Sequence, residues 1–134
     1  MSIRAAADTH ALLWYLHKDA RLSQTALSFF LTTEQAGDRI AVSSITLIET
    51  AYLEEKGRVP ANSFSRVIQL LNQANSLLQE LPVDQAIAQA LRQITRSQVP
   101  DMPDRIIAAT ALMLGVPVIS RDHKIQTSNL MTIW

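Results

Sequence analysis

The sequence contains no cysteine, which excludes disulfide bonds and thiolate chemistry and leaves a zinc site only histidine and carboxylate ligands. Glycine and proline are scarce, at 3 and 5 of 134 residues, and no low-complexity run or internal repeat separates one part of the chain from another. Aromatic residues make up only 5%, so the core must be built mainly from leucine, isoleucine, valine and alanine. The sequence therefore predicts a single domain over residues 1–134.

Neither sign of charge is in excess, with 12 basic against 12 acidic side chains and a pI near 6.8. This balance argues against a protein that coats nucleic acid through a basic field, but not against one that holds a short backbone stretch through metal ions. No apolar run approaches the roughly 18 residues that span a bilayer. Asp8 interrupts the apolar stretch that follows Ala5, so no signal peptide is predicted. We expect a cytoplasmic protein.

Short apolar segments alternate with amphipathic ones along the whole chain. Strands are predicted at Arg4–Ala7, Ile40–Val42, Leu77–Leu81, Val116–Ser120 and Met131–Trp134. Helices are predicted over 9–17, from Leu22 onward, from Ser43 or Ser44 to about Lys56, over 64–71, over 86–94 and over 103–114. The helix that begins near Leu22 has Ser23 as its N-cap and has Ala26, Leu27, Phe30 and Leu31 on one face. This alternation predicts an α/β fold with a parallel sheet, whose ligand site lies beyond the carboxyl ends of the strands.

Three aspartates lie at strand ends or at a helix start, where a ligand site is expected in such a sheet. Each also has an ordinary structural explanation. Asp8 joins the first strand to the first helix, where aspartate is a good N-cap, and Asp122 follows a strand as a turn residue. Asp104 falls at the third helical position after Asp101 and Pro103, where a carboxylate favours the helix dipole. Because Asp104 adjoins the apolar helix directly, we assign it to chemistry and Asp101 to capping.

Glu49 is harder to explain as a structural residue. No lysine or arginine lies one helical turn away, and a carboxylate on an apolar face is unfavourable without a compensating charge. Its neighbours at that spacing are Ile45, Thr46, Tyr52 and Leu53. If the face is buried, a metal ion or a cation from another element must compensate Glu49.

The predicted sheet brings Asp8, Glu49, Asp104 and Asp122 to one edge. Carboxylates crowded together repel each other strongly without a cation. Oxygen-only ligands select a hard divalent ion, Mg²⁺ or Mn²⁺, over zinc. Such an ion activates water and stabilises charge on phosphate oxygens, so the four residues predict phosphodiester hydrolysis, with one ion or two.

Several neighbours of these acids are weaker candidates. The Ser120 hydroxyl could turn toward the same site. Arg105 and Arg121 lie beside acids and could meet a phosphate, although flanking arginines are usually solvated. His10 and His123 are better explained as packed or solvated side chains than as bases.

The chain resembles the PIN-domain ribonucleases, in particular the VapC-like toxins of bacterial toxin–antitoxin pairs. The resemblance covers essentially the whole chain and rests on four segments in the same order. These are Asp8-Thr9-His10-Ala11-Leu12-Leu13-Trp14, Ser43-Ser44-Ile45-Thr46-Leu47-Ile48-Glu49, Pro103-Asp104-Arg105-Ile106-Ile107-Ala108-Ala109-Thr110-Ala111 and Val118-Ile119-Ser120-Arg121-Asp122. Each segment is weak evidence alone, but the ordered set is specific.

The resemblance implies a three-layer PIN-like fold and an endonuclease that cuts single-stranded RNA. It implies Mg²⁺ or Mn²⁺ bound by Asp8, Glu49, Asp104 and Asp122. It matches Ser120 to the family's hydroxyl residue near the metal and gives Thr9 an orienting role. It also implies a homodimer held inactive by a cognate antitoxin, which covers the active site and lends the complex DNA binding. The first strand departs from the family, because alanine replaces its usual large β-branched residues and favours helix; this strand is expected to be short or weakly packed.

Three alternative functions fit the sequence less well than the nuclease does. A phosphatase of the haloacid-dehalogenase type needs an aspartate two residues after the first, where His10 stands. A receiver domain needs an acid at the end of the central strand, whereas Glu49 falls inside a helix. The remaining alternative is a catalytically silent PIN scaffold that binds RNA or protein, and intact acids at all four positions argue against it.

Overall fold

The computed structural model describes residues 2–126 and 130–134. In chain order its elements are β1 (Ile3–Ala7), α1 (Thr9–Leu16), α2 (Gln24–Gln35), β2 (Arg39–Ser43), α3 (Ser44–Glu55), α4 (Ser63–Leu71), β3 (Leu78–Leu81), α5 (Gln85–Leu91), α6 (Met102–Leu114), β4 (Val118–Ile119), α7 (His123–Gln126) and β5 (Thr132–Ile133). Strands and helices alternate, so the predicted α/β class is confirmed.

The strands form one sheet in the order β3-β2-β1-β4-β5, and each adjacent pair is parallel. One face packs against α1, α2 and α4, where Leu12, Phe30 and Val67 are fully buried. The other face packs against α5 and α6, with Ile87 and Ile107 in its core. The chain therefore has the three layers that were predicted.

The alanine-rich first strand is the centre of this sheet. This five-residue strand pairs with β2 on one side and with β4 on the other. Ala5 and Ala7 pack into one core and Ala6 into the other, each at most 2% exposed. The expectation of a short, weakly packed strand is wrong, because pairing on both sides outweighs the helical preference of alanine and small side chains let helices pack closely on both faces.

Side-chain caps begin the helices at the predicted positions. Ser23 accepts a hydrogen bond from the Ala26 amide at α2, and Ser43 accepts one from the Ile45 amide at α3. Gly115 ends α6 with a φ of 69°, the left-handed conformation that glycine adopts without steric cost.

Some local predictions differ from the structure. Leu31 is 43% exposed, because the buried stripe of α2 runs through Ala26, Phe30 and Thr33 instead. The β4 strand is shorter than predicted, and the four-residue α7 was not predicted because so short a helix shows little periodicity. None of the helices in the described part of the chain combines the length and apolar character needed to cross a bilayer.

Candidate active site

The site begins where the adjacent strands β1 and β4 end. Ala7 pairs with Ile119, and the Asp8 amide donates a 3.0 Å hydrogen bond to the Ile119 carbonyl. Asp8 is only 7% exposed, and its Oδ1 accepts a 2.8 Å hydrogen bond from the Ala11 amide at the start of α1. Its capping role and its place at the sheet edge are therefore compatible, because the cap fixes the carboxyl at the strand end.

Ser120 and Asp122 follow the neighbouring strand. Ser120 is fully buried, and its hydroxyl oxygen accepts a 2.9 Å hydrogen bond from the Asp122 amide. Asp122 Oδ1 in turn accepts hydrogen bonds from the amides of Lys124 (2.8 Å) and Ile125 (3.3 Å) in α7. A short capped turn thus holds the Asp122 carboxylate beside Asp8.

Glu49 reaches the site from α3. The Thr9 hydroxyl donates a 2.5 Å hydrogen bond to Glu49 Oε1 and lies 3.1 Å from the buried Thr46 hydroxyl. Glu49 is half-buried, whereas its helix neighbour Tyr52 is 62% exposed. The helix face of Glu49 is therefore only partly buried. Among the described residues, the Thr9 hydroxyl stabilises the Glu49 carboxylate.

Asp104 enters from the first turn of α6, at the third helical position as predicted. Asp101 is the N-cap and accepts a 3.1 Å hydrogen bond from the Asp104 amide, and Pro103 lies in the first turn. The predicted capping role of Asp101 is confirmed. Its carboxylate nevertheless also lines the site, which the assignment of Asp101 to capping alone did not anticipate.

These elements enclose a cleft of about 370 Å³. Its lining residues are Asp8, His10, Trp14, Arg21, Glu49, Asp101, Asp104, Arg121 and Asp122. All four acids selected from the sequence meet there. Trp14, Arg21 and Asp101 were not selected as site residues. No local sequence signal marks Trp14 or Arg21, because their place in the cleft follows from tertiary packing.

Burial and mutual repulsion disfavour ionisation of these carboxyls. Burial raises the pKa of Asp8, opposed by hydrogen bonds from Ser120 and Ala11. Burial also raises the pKa of Glu49, opposed by the hydrogen bond from Thr9.

The strongest effect falls on Asp104. Burial raises the pKa of Asp104 to about 8, reinforced by the negative charges of the other carboxylates in the cleft. In order of effect these are Asp101, Asp122, Asp8 and Glu49. The cleft therefore favours a proton or a cation at neutral pH.

The carboxylates share the cleft without forming a closed ligand cage. Within residues 2–126 and 130–134, no three acidic or histidine side chains are grouped so that they could hold a metal ion as they stand.

Arg105, selected as a possible phosphate ligand, is directed elsewhere. Its Nε donates a 2.7 Å hydrogen bond to the Ile94 carbonyl, and its guanidinium donates a 3.2 Å bond to the Leu91 carbonyl. It is not among the residues that line the cleft. The structure thus places Arg105 at the end of α5, because adjacent residues of a helix point about 100° apart and only Asp104 faces the sheet edge.

Comparison with known proteins agrees with this arrangement. The model of the PIN domain family matches residues 5–127. The chain belongs to the PIN domain family. Ribonuclease VapC22 of Mycobacterium tuberculosis is 25% identical to it over 130 residues, covering 95% of each chain. The four acids lie within the matched region, which includes every segment on which the family resemblance rests.

Solved structures share the fold over nearly the whole length. A chain in the crystal structure of VapBC2 from Rickettsia felis, bound to a DNA fragment from their promoter, superimposes with a TM-score of 0.70 at 16% identity, covering 98% of this chain and 97% of that one. A chain of the DNA-bound VapBC from Salmonella typhimurium also gives 0.70, at 20% identity and covering 97% and 96%. At these identities the similarity shows the fold.

Proposed function

We propose that this PIN domain is a metal-dependent endoribonuclease that hydrolyses phosphodiester bonds in RNA. The observation that carries the proposal is the meeting of Asp8, Glu49, Asp104 and Asp122 in one cleft, each from a different element of the fold. Carboxylates that crowd in this way, with none of the four in an ion pair among the described residues, are typical of sites for hard cations. The similarity to Ribonuclease VapC22 supports RNA as the substrate.

The donor set fits Mg²⁺ or Mn²⁺. All four proposed ligands offer carboxylate oxygens, and a divalent cation relieves the repulsion that raises the pKa of Asp104. We propose Asp8, Glu49, Asp104 and Asp122 as the ligands. A bound divalent ion would supply a Lewis acid that polarises the phosphodiester and activates water.

The chain's own residues orient this site. Thr9 holds Oε1 of Glu49, and the Ala11 amide holds Oδ1 of Asp8, so neither carboxylate turns freely. Ser120 acts on two acids, because it accepts from the Asp122 amide and its hydroxyl hydrogen-bonds Asp8, lowering the pKa of that carboxyl. Fixed outer partners of this kind position metal ligands and tune their basicity. Thr9 and Ser120 are thus proposed as positioning residues.

We further propose that the chain is the toxin of a toxin–antitoxin pair and forms a homodimer. The match to Ribonuclease VapC22 over nearly the full length of both proteins supports the toxin role. The fold shared with chains of VapBC complexes supports a protein partner, and we propose that this partner covers the cleft. Co-purification of the chain with the product of a neighbouring gene, and loss of RNA cleavage in that complex, are the expected results.

The proposal is tested by cleavage of a structured RNA pool by the purified protein, with Mg²⁺ or Mn²⁺ and with EDTA. Asp104→Asn is the inactive variant, and Asp84→Asn is its control, because Asp84 caps α5 away from the cleft. Cleavage that needs both the metal and Asp104 supports the nuclease. A folded wild type that binds RNA in the presence of metal but leaves every RNA intact would support a binding-only scaffold instead.

A further inference from the structure

Two arginines lie against one tryptophan at the wall of the acidic cleft. The guanidinium carbon of Arg121 is 4.5 Å from the ring centroid of Trp14, and that of Arg21 is 5.1 Å away. All three side chains line the cleft together with the carboxylates. Both distances are within the range of cation–π attraction, which favours guanidinium groups over indole rings.

The Trp14 ring that both guanidinium groups contact is held in place by its neighbours. Trp14 is only 7% exposed, and its ring lies 5.9 Å from Trp134 and 5.8 Å from His10, centroid to centroid. Arg121 itself stands between Ser120 and Asp122, whose backbone amides are both hydrogen-bonded. The Arg121 guanidinium is therefore restrained at both ends, by its backbone and by the ring.

The two arginines differ in how their charges are compensated. Arg21 forms a two-pronged ion pair with Asp19, at 3.0 Å from Nε and 2.8 Å from Nη2, and this pairing lowers the pKa of Asp19 to about 2. Among the residues that the structure describes, the ion pairs are this one and Arg4–Asp38. Arg121 thus has no carboxylate within 4.0 Å in that part of the chain.

We propose that Arg121 binds a phosphate of the RNA strand next to the one that is cleaved, and that Trp14 positions its guanidinium for this contact. The inference rests on the proposed ribonuclease function and adds a substrate-binding residue outside the metal ligands. Arg21 contributes less to RNA binding, because Asp19 already satisfies its charge.

Physical chemistry favours a cation at this point of the cleft. The carboxylates repel the RNA backbone, and a bound divalent ion offsets that repulsion only near the phosphate that it contacts. A guanidinium matches phosphate oxygens with two parallel hydrogen bonds. Because the Trp14 ring already restrains Arg121, less side-chain freedom is lost when RNA binds.

The test compares Arg121→Gln with Arg121→Lys, Arg21→Gln and Arg96→Gln, the last removing an exposed positive charge outside the cleft. Binding of a fluorescent single-stranded RNA is measured by anisotropy over a range of salt concentrations, with Ca²⁺ in place of Mg²⁺, and gel electrophoresis verifies that the strand stays intact. Cleavage of the same RNA with Mg²⁺ gives kcat and KM. Circular dichroism verifies that each variant is folded.

Arg121→Gln is expected to weaken binding and raise KM about tenfold while kcat changes little, because the contact is made in the ground state and the transition state alike. The slope of log affinity against log salt should fall by about 0.7, the value for one phosphate contact on a single strand. Arg121→Lys should recover part of the affinity, since it keeps the charge but loses the planar fork.

Equal losses in Arg121→Gln and Arg96→Gln would overturn the role of Arg121, while a wild type that still binds and cleaves RNA would leave the proposed function standing. A loss in Arg21→Gln as large as that in Arg121→Gln would also overturn it, because the ion pair would then not distinguish the two arginines. A folded wild type that neither binds nor cleaves RNA would overturn both proposals.

Discussion

The Thr9 hydroxyl donates a 2.5 Å hydrogen bond to Glu49 Oε1, joining the helix that follows the first strand to the helix that follows the second. Asp8 adjoins Thr9, so one short segment of chain both supplies an acid and orients another. This contact between α1 and α3 depends on the sheet, since β1 and β2 lie side by side and deliver both helices to the same edge. The site therefore depends on hydroxyl groups as well as on its acids.

Thr9→Val is expected to reduce RNA cleavage by about tenfold, because Glu49 loses the group that fixes its carboxylate. The lost hydrogen bonds should lower the free energy of unfolding by about 1 kcal/mol. Thr33→Val is the matched control, since Thr33 is equally buried but its hydroxyl bonds the Phe29 carbonyl within α2. Single-turnover cleavage rates are compared between Thr9→Val and Thr33→Val. An equal loss of activity in both variants would contradict the orienting role of Thr9.

The raised pKa of Asp104 predicts how stability depends on pH without metal. The folded state keeps a proton on this carboxyl up to about pH 8, whereas the unfolded chain releases it near the ordinary value of 3.8. The free energy of unfolding should therefore fall as pH rises through this interval, and the loss should be complete above about pH 8 and absent below about pH 4.

Asp104→Asn removes that titration, so it should stabilise the protein relative to wild type, and by more at about pH 8 than at about pH 5. Urea unfolding in EDTA at the two pH values measures the difference. Asp84→Asn serves as control because it replaces a cap residue outside the cleft. If the free energies of unfolding of Asp104→Asn and wild type change with pH in parallel, the pKa of Asp104 is not raised in the folded protein.

Asp101→Ala should lower the free energy of unfolding by about 1 kcal/mol, because α6 loses the side chain that accepts from the Asp104 amide. Most of the cleavage activity should remain. Asp101→Asn keeps a capping oxygen while removing the charge, so it should restore the stability. A complete loss of cleavage in both variants, with the fold intact, would mean that Asp101 is itself a ligand.

Arg105→Ala should destabilise the protein by about 2 kcal/mol, since the Leu91 and Ile94 carbonyls lose a charged hydrogen-bond donor. The KM for RNA should stay close to the wild-type value, because Arg105 does not line the cleft. Thermal unfolding and cleavage kinetics on the same preparation test both statements. A large rise in KM at unchanged stability would restore the phosphate-binding role that was one of two readings of the sequence.

Sequence patterns predicted the layers well, because apolar periodicity and caps such as Ser23 and Ser43 are local signals. They misjudged the alanine strand, whose stability comes from strands and helices distant in sequence. They also misjudged Arg105, because adjacency to Asp104 in sequence does not show that two successive helical side chains point about 100° apart.

The cleft likewise contains residues that the sequence could predict and residues that it could not. Asp8, Glu49, Asp104 and Asp122 could be selected because acids at strand and helix boundaries are visible in the sequence, although their role as ligands stays a prediction. Trp14 and Arg21 could not, since their place in the cleft follows from the way α1 and the segment after it pack across the end of the sheet. Residues whose role depends only on tertiary packing are hard to predict from local sequence patterns.

The central claim is that the four carboxylates bind a divalent ion, and calorimetric titration with Mn²⁺ near neutral pH tests it most directly. Wild type and Asp84→Asn should bind alike, whereas Asp8→Asn, Glu49→Gln, Asp104→Asn and Asp122→Asn should each lower the affinity by about tenfold or more. Proton release on binding should accompany the wild-type titration, because Asp104 is partly protonated before the ion enters. Binding of equal strength in wild type and Asp104→Asn would contradict the proposed metal site.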